Sequence, residues 1–283
     1  MHYARRNLGL AISRCGHVGK HEESSSESNG AERLVAEAPL PPLAIRAWLR
    51  YDVVSRVIAK LQPASVLEIG VGQGAFGARL AGHVQYVGVE PDRASFEVAA
   101  SRIEPLGGVV INAMHDAVPE GSTFDVVCAF EVLEHLEDDG IALTSWIPYI
   151  KPGGQLIISV PAFQNRFGPM DKHAGHYRRY EIEGLRDTLT QAGLAVDEIT
   201  VYGWPLGFAL EAVRNRIDAR RLSKARAKGT SIGELTAASG RTFQPSKQWS
   251  GVVVQALTTP FRHLQRLQPQ RGTGLIAVAT RTA

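Results

Sequence analysis

The sequence predicts an α/β fold: an open, mostly parallel sheet with helices on both faces. Three observations lead there. Short, uninterrupted apolar runs recur along the chain, helical stretches lie between most of them, and the first run feeds straight into a glycine-rich loop. Apolar runs that do not alternate with polar residues suit strands buried on both faces. A βαβα succession winds right-handed into one sheet.

The runs are Val66–Ile69, Tyr86–Val89, Val109–Ile111, Val126–Phe130 and Leu156–Val160. Helices are expected over Gly74–Ala81, Asp92–Glu104 and Asp138–Ile150 between them, and over Leu43–Lys60 before them. Glu181–Ala192 reads as a further helix closed by Gly193, and Val196–Tyr202 and Leu275–Thr280 read as the last two strands. About 70 residues separate those two strands, far more than a usual connection. This insert, 205–273, is expected to form one helix over Leu206–Lys228, a polar gap over Gly229–Ser246 and a second helical stretch from Trp249 to Leu267. Thr259 and Pro260 look like a cap and first-turn proline that restart the helix there.

Composition bounds the rest. A chain of 283 residues with 44% apolar and 21% charged residues has room for a sizeable core. Residues 1–40 include the Ser/Glu-rich stretch His21–Gly30 and are expected to be a disordered tail, leaving 41–283 as the folded domain. Cys15 and Cys128 have neither disulfide-framework nor zinc-ligand spacing, which fits a reducing, cytoplasmic setting. No apolar run approaches the ~20 residues of a membrane helix, and Leu8–Ile12 is too short for a signal-peptide core. The net charge of +3 does not suggest a general nucleic-acid binder. The insert is different: it holds twelve Lys and Arg against three acids, a net +9, so the remainder carries −6. Such a segment suits an anionic substrate, a phospholipid surface with the protein peripheral to a membrane, RNA, or simply solvent.

The first run continues as Glu68-Ile69-Gly70-Val71-Gly72-Gln73-Gly74. Glycines let the backbone turn sharply and approach a ligand, and the following N–H groups favour a polar or anionic group. The second run ends in Glu90, where a carboxylate can accept from both ribose hydroxyls. These two features alone fit either a dinucleotide-binding fold or another nucleotide site.

Four further segments decide between them by resemblance. Val66–Gly74 resembles the first motif of class I S-adenosylmethionine (SAM)-dependent methyltransferases. His115-Asp116-Ala117 is similar to their adenine-contacting acidic turn. Phe124–Leu136, with Glu131-Val-Leu-Glu134-His135, resembles their fourth strand and its loop, and Lys151-Pro-Gly-Gly154 their turn into strand five. The resemblance implies a Rossmann-like sheet of seven strands with the last antiparallel, here with a helical insert before it. It implies SAM as cofactor, with Glu68, Gly70, Gly72 and Gly74 at the methionine end, Glu90 on the ribose, Asp116 on the adenine amine and Phe130 against the ring.

Methyl transfer from a sulfonium mainly needs positioning and exclusion of water; a base helps where the acceptor must lose a proton. His135, His173 and His176 follow strands four and five and are the candidates, which favours a hydroxyl of a small molecule, a glycan or a lipid-linked acceptor. Glu131, Glu134 and His135 fall together if they form one helical turn, and this pattern resembles the metal site of small-RNA 2′-O-methyltransferases. It makes Mg²⁺, or a transition metal, a candidate second cofactor, with His173 or His176 able to complete the set. RNA or protein methylation, a SAM-binding module without catalysis and an NAD-dependent dehydrogenase are the rival functions. The segment Met170–Tyr180 resembles a GHxRRY stretch of bacterial members of the same superfamily.

Overall fold

In the computed structural model, residues 40–227 and 248–282 are described. The expected tail, but for its last residue, and the whole polar gap of the insert lie outside them. The elements run α1 (Ile45–Leu61), β1 (Ser65–Ile69), β2 (Gln85–Val89), α2 (Arg93–Ile103), β3 (Val109–Ile111), β4 (Phe124–Phe130), α3 (Asp139–Trp146), β5 (Ile150–Pro161), α4 (Pro169–Ala174), α5 (Ile182–Gln191), β6 (Leu194–Gly203), α6 (Leu206–Ala227), α7 (Gln248–Leu264) and β7 (Gly272–Arg281).

One seven-stranded sheet has the order β3-β2-β1-β4-β5-β7-β6. Strands β1 to β5 pair in parallel, and β7 inserts antiparallel between β5 and β6. The apolar runs are continuous because both faces are covered. Leu67 and Ile69 pack with Val127, Ala129, Leu143, Trp146 and Leu185 on one face. Val66 packs with Leu49, Val54, Tyr86, Ile103, Val126 and Cys128 on the other. Strand order reverses beside β1, between β2 and β4, so the loops after β1 and β4 open a crevice at the carboxyl ends of the strands, where open α/β sheets bind ligands.

Several local expectations change. The helix expected over Gly74–Ala81 reduces to a short 3₁₀ turn, Gly77–Arg79. Gly70, Gly72 and Gly74 all have positive φ, which carries the chain as a loop through the first residues of that stretch. The helix expected over Asp138–Ile150 stops at Trp146 and tightens into 3₁₀ over Ile147–Tyr149, around Pro148. Strand β5 starts at Ile150, so it takes in the Lys151–Gly154 turn. The restart at Thr259-Pro260 does not occur, because α7 runs continuously through Pro260. The Thr259 hydroxyl donates back to the carbonyl of Gln255 at 2.8 Å and so caps nothing.

Candidate active site

A cleft of about 1150 Å³ lies over the carboxyl ends of β1, β2 and β4. Ile69, Gly70 and Gly72 form one wall, Glu90 and Asp92 the next, Met114 and His115 a third, and Phe130, Glu131, Val132 and His135 a fourth. The glycines are there for different reasons. A Cβ on Gly70 would lie 2.6 Å from Val132 Cγ2, and one on Gly74 would lie 2.9 Å from Ala99 Cα. A Cβ on Gly72 would meet nothing within 4 Å, so that residue is glycine for its φ of +57° and leaves space open beside the cleft. Glu90 ties the loop down: its Oε2 accepts from Gly72 N–H at 2.7 Å and its Oε1 from Asp92 N–H at 2.9 Å. Burial raises its pKa against those two hydrogen bonds.

Glu68 does not line the cleft. It is buried within the sheet, and its Oε2 accepts from the Tyr86 hydroxyl at 2.5 Å. Burial pushes its carboxyl up to about 8, so it is neutral at pH 7. Asp116 is exposed and also outside the lining; its neighbours Met114 and His115 take that wall. The His115 ring packs edge-on to Trp146, with centroids 6.4 Å apart. Phe130 lines the opposite wall and stacks edge-on with Phe76 at 4.7 Å, beneath the Arg50 guanidinium at 5.6 Å.

Past β4 the chain carries the acidic and imidazole groups. Glu131 does not share one helical turn with Glu134 and His135. It sits at φ +59°, outside the 3₁₀ turn Leu133–His135. Its Oε1 accepts from Ser159 at 3.0 Å and from Tyr202 at 3.1 Å, and lies 3.5 Å from Arg50. Burial favours the neutral acid, but Arg50 and Arg46 outweigh it and lower the pKa. Glu134 is fully buried, and neither carboxylate oxygen has a hydrogen-bond partner. Burial first, and the charge of Glu131 second, push its pKa well above the usual range.

His135 and His176 meet edge-on, with ring centroids 4.7 Å apart. Burial, reinforced by His176, lowers the His135 pKa to about 4. The local fold explains how His176 arrives there. Helix α4 ends at Gly175, whose φ of +78° turns the chain back so that His176 N–H donates to the Asp171 carbonyl at 3.0 Å. The same turn brings His176 Nδ1 to 2.9 Å from Asp171 Oδ1. Asp171 also accepts from Arg179 Nε and Nη2, at 2.9 and 2.7 Å, and from Gly168 N–H at 2.8 Å. Burial would raise its pKa, but hydrogen bonds from His176 and Arg179 bring it down to about 2. His176 Nε2 therefore points away from Asp171 and stands 3.9 Å from Glu134 Oε1. One ligand atom each of Glu134, His135 and His176 can be chosen so that all lie within 4.8 Å of one another. His173 stands apart, buried with Nε2 3.9 Å from Asp218 on α6.

Sequence reasoning missed Asp171, Arg50 and Tyr202. Asp171 carried a signal, as the carboxylate five residues before His176 in a segment already dense in polar groups. Arg50 and Tyr202 come from α1 and β6, and nothing local marks them.

The sheet order with one antiparallel strand, together with the glycine and acid loops at its switch point, defines the class I methyltransferase architecture. The comparisons agree. The family described as "Methyltransferase domain" matches residues 44–199. An uncharacterized methyltransferase of Mycobacterium leprae is 29% identical over 114 residues, 40% of this chain but only 42% of that protein. The ubiquinone biosynthesis O-methyltransferase of Xanthomonas axonopodis is 28% identical over 64% of this chain and 80% of its own length. Among solved structures, the YcgJ protein of Bacillus subtilis shares the fold with a TM-score of 0.51 at 13% identity, over 83% of this chain and 99% of that one. Coclaurine N-methyltransferase does so with a TM-score of 0.50 at 13% identity, over 81% and 71%. The chain belongs to the methyltransferase domain family, of the class I SAM-dependent type.

Proposed function

We propose that this protein transfers the methyl group of SAM to a hydroxyl of a small molecule, with His176 as the base and Asp171 as the residue that positions it. The observation that carries the reading is the Asp171–His176 pair. An ionised, Arg179-clamped carboxylate on Nδ1 keeps the proton on that nitrogen and leaves Nε2 able to accept one.

The cleft fits the cofactor. Glu90, already holding the Gly72 and Asp92 amides, offers its remaining lone pairs to a ribose diol, and the open space at Gly72 admits a close ligand. Phe130, Met114 and His115 supply apolar and ring surface for an adenine. In this reading Glu68 and Asp116 touch the cofactor with neither carboxylate. Bound SAM supplies an activated methyl group on a sulfonium. What the chain supplies is a binding cleft with His135 on its wall and, packed against the His135 ring rather than in the cleft lining, the His176 nitrogen that takes the acceptor's hydroxyl proton as the oxygen forms its bond to carbon. His135 itself is neutral and adds no charge. The similarity to O-methyltransferases of ubiquinone biosynthesis supports an oxygen acceptor.

One observation favours a second reading, a bound cation. The two partnerless oxygens of buried Glu134 face a site that His135 and His176 could complete, with Asp171 orienting the His176 ring from behind. Glu131, engaged by Arg50, Ser159 and Tyr202, is not part of that set. Two imidazoles with one carboxylate suit Mn²⁺, Fe²⁺ or Zn²⁺ better than Mg²⁺. Such an ion would hold and acidify the acceptor oxygen.

The test follows SAM consumption with phenolic and amine acceptors, with and without chelator. Turnover of phenols that survives chelation, and falls with His176→Asn while S-adenosylhomocysteine affinity holds, supports the base. Loss on chelation with recovery by Mn²⁺ or Zn²⁺ supports the cation. Turnover of amines alone overturns the hydroxyl acceptor.

A further inference from the structure

Helix α6 turns a polar face towards α4. Glu211, Asn215 and Asp218 follow one another at steps of four and three residues, which places them along one side of the helix. Glu211 is 3% exposed and Asp218 is fully buried, whereas Val213, on the opposite side, is 57% exposed. A helix ordinarily buries its apolar side, and a buried carboxylate is costly unless it is paired. The partners of this polar face come from α4 and the chain on either side of it.

Asn215 Oδ1 accepts from Met170 N–H at 2.9 Å, and a Cβ on Gly168 would lie 3.0 Å from the same oxygen. Those two residues sit at the start of α4, where Gly168 N–H donates to Asp171 Oδ2 at 2.8 Å. Glu211 reaches further. Its Oε1 accepts from Arg179 Nη1 at 3.0 Å, on the side of the guanidinium that Asp171 leaves open. Arg166 Nη2 stands 3.2 Å from the other oxygen, Oε2, and the Arg166 guanidinium lies over Phe208 of α6 at 4.4 Å. Arg166, Glu211, Arg179 and Asp171 thus form one ladder of alternating charge that ends on the His176 imidazole.

Asp171 Oδ1 is shared: it accepts from Arg179 Nε and lies against His176 Nδ1, both at 2.9 Å. Any swing of the Arg179 plane therefore draws that oxygen away from the imidazole. A guanidinium bonded along one edge can still tilt about it, whereas one held on two edges by two carboxylates cannot. Glu211 also offsets the Arg179 cation, which would otherwise cancel the Asp171 charge beside His176. We propose that Glu211 is a positioning residue for the Asp171–His176 pair, acting through Arg179, and that α6 of the insert is thereby part of the active site. This role rests on the Asp171–His176 pair proposed above. It holds whether Nε2 takes a proton or a cation, since both need Nδ1–H fixed on Asp171. Glu211 lies outside the cleft lining, so it acts on the ring and not on the cofactor.

The test is NMR of the full chain with isotope-labelled histidine, in alkaline buffer with S-adenosylhomocysteine and assigned against His176→Asn. The ring-nitrogen shifts report which nitrogen carries the proton. The wild type is expected to carry it on Nδ1 of His176. Glu211→Leu should populate both tautomers and lower kcat on a phenolic acceptor by about 10- to 100-fold, with KM and S-adenosylhomocysteine affinity unchanged. Glu211→Gln keeps an oxygen for Arg179 Nη1 and should restore the Nδ1 tautomer and most of the turnover. A merely structural Glu211 would move the thermal midpoint and leave the tautomer alone. The tautomer needs no acceptor, so it is readable even where no phenol is turned over. If Glu211→Leu does not fold, the wild type with labelled arginine decides. The two Nη groups of Arg179, held on different carboxylates, should exchange slowly and give separate signals. Merged signals, or a tautomer that ignores Glu211→Leu, overturn the role of Glu211 and leave the pair in place. A wild type with its proton on Nε2 overturns the pair itself.

Discussion

Replacing Glu68 by Gln separates a structural carboxyl from a ligand-binding one. In the folded chain burial holds its pKa near 8, against an ordinary value of 4.5. Between those pH values the folded protein keeps a proton that the unfolded chain has lost. The unfolded state therefore binds fewer protons, and stability falls as pH rises. The contribution is complete below pH 4.5 and is progressively lost up to about pH 8. At 1.36 kcal/mol per pH unit, the wild type has given up about 3 kcal/mol by pH 7. Glu68→Gln abolishes this titration while its amide oxygen can still accept from the Tyr86 hydroxyl. The variant is expected to match the wild type near pH 4.5 and to exceed it by about 3 kcal/mol at pH 7, in urea unfolding read by fluorescence. Because Glu68 does not line the cleft, S-adenosylhomocysteine affinity should stay within about threefold, a change below 1 kcal/mol. A stability difference that does not vary with pH would refute the burial argument. A loss of affinity beyond tenfold would return Glu68 to the cofactor.

Three further outcomes are expected. Glu90→Ala leaves the Gly72 and Asp92 amides and a ligand diol without their acceptor, so S-adenosylhomocysteine binding by calorimetry should weaken by about 1–3 kcal/mol, roughly 5- to 150-fold. If His176 acts as the base, His176→Asn should lower turnover by about 10²–10⁴-fold at neutral pH with that affinity preserved. Gly72→Ala should cost about 1–2 kcal/mol for its left-handed φ alone. Gly74→Ala should cost more, because its methyl group also strikes the α2 backbone at Ala99; denaturant midpoints give the order.

The order of strands and helices was legible in the sequence because each signal is local. Val66–Ile69 and Val126–Phe130 are continuous apolar runs since both faces of a parallel strand are covered, and that shows in consecutive residues. The glycine loop was legible for the same reason, as left-handed φ values demand a particular residue type at a particular place. His135 and His176 could be nominated from their positions after β4 and β5.

Tertiary structure alone decided which side chains meet. Glu68 and Glu90 both sit at strand ends rich in glycine. The partners that distinguish them, Tyr86 against the amides of Gly72 and Asp92, depend on how neighbouring strands and loops pack. Glu131 left the expected trio because Arg50 from α1 and Tyr202 from β6 converge on it from distant parts of the chain. Glu134 is a buried acid whose carboxylate has no hydrogen bond, with the His176 ring, from beyond the end of α4, 3.9 Å away. Desolvation and long-range pairing are sums over neighbours that no local window of sequence contains, and they shift the titration of Glu68, Glu131, Glu134 and His135.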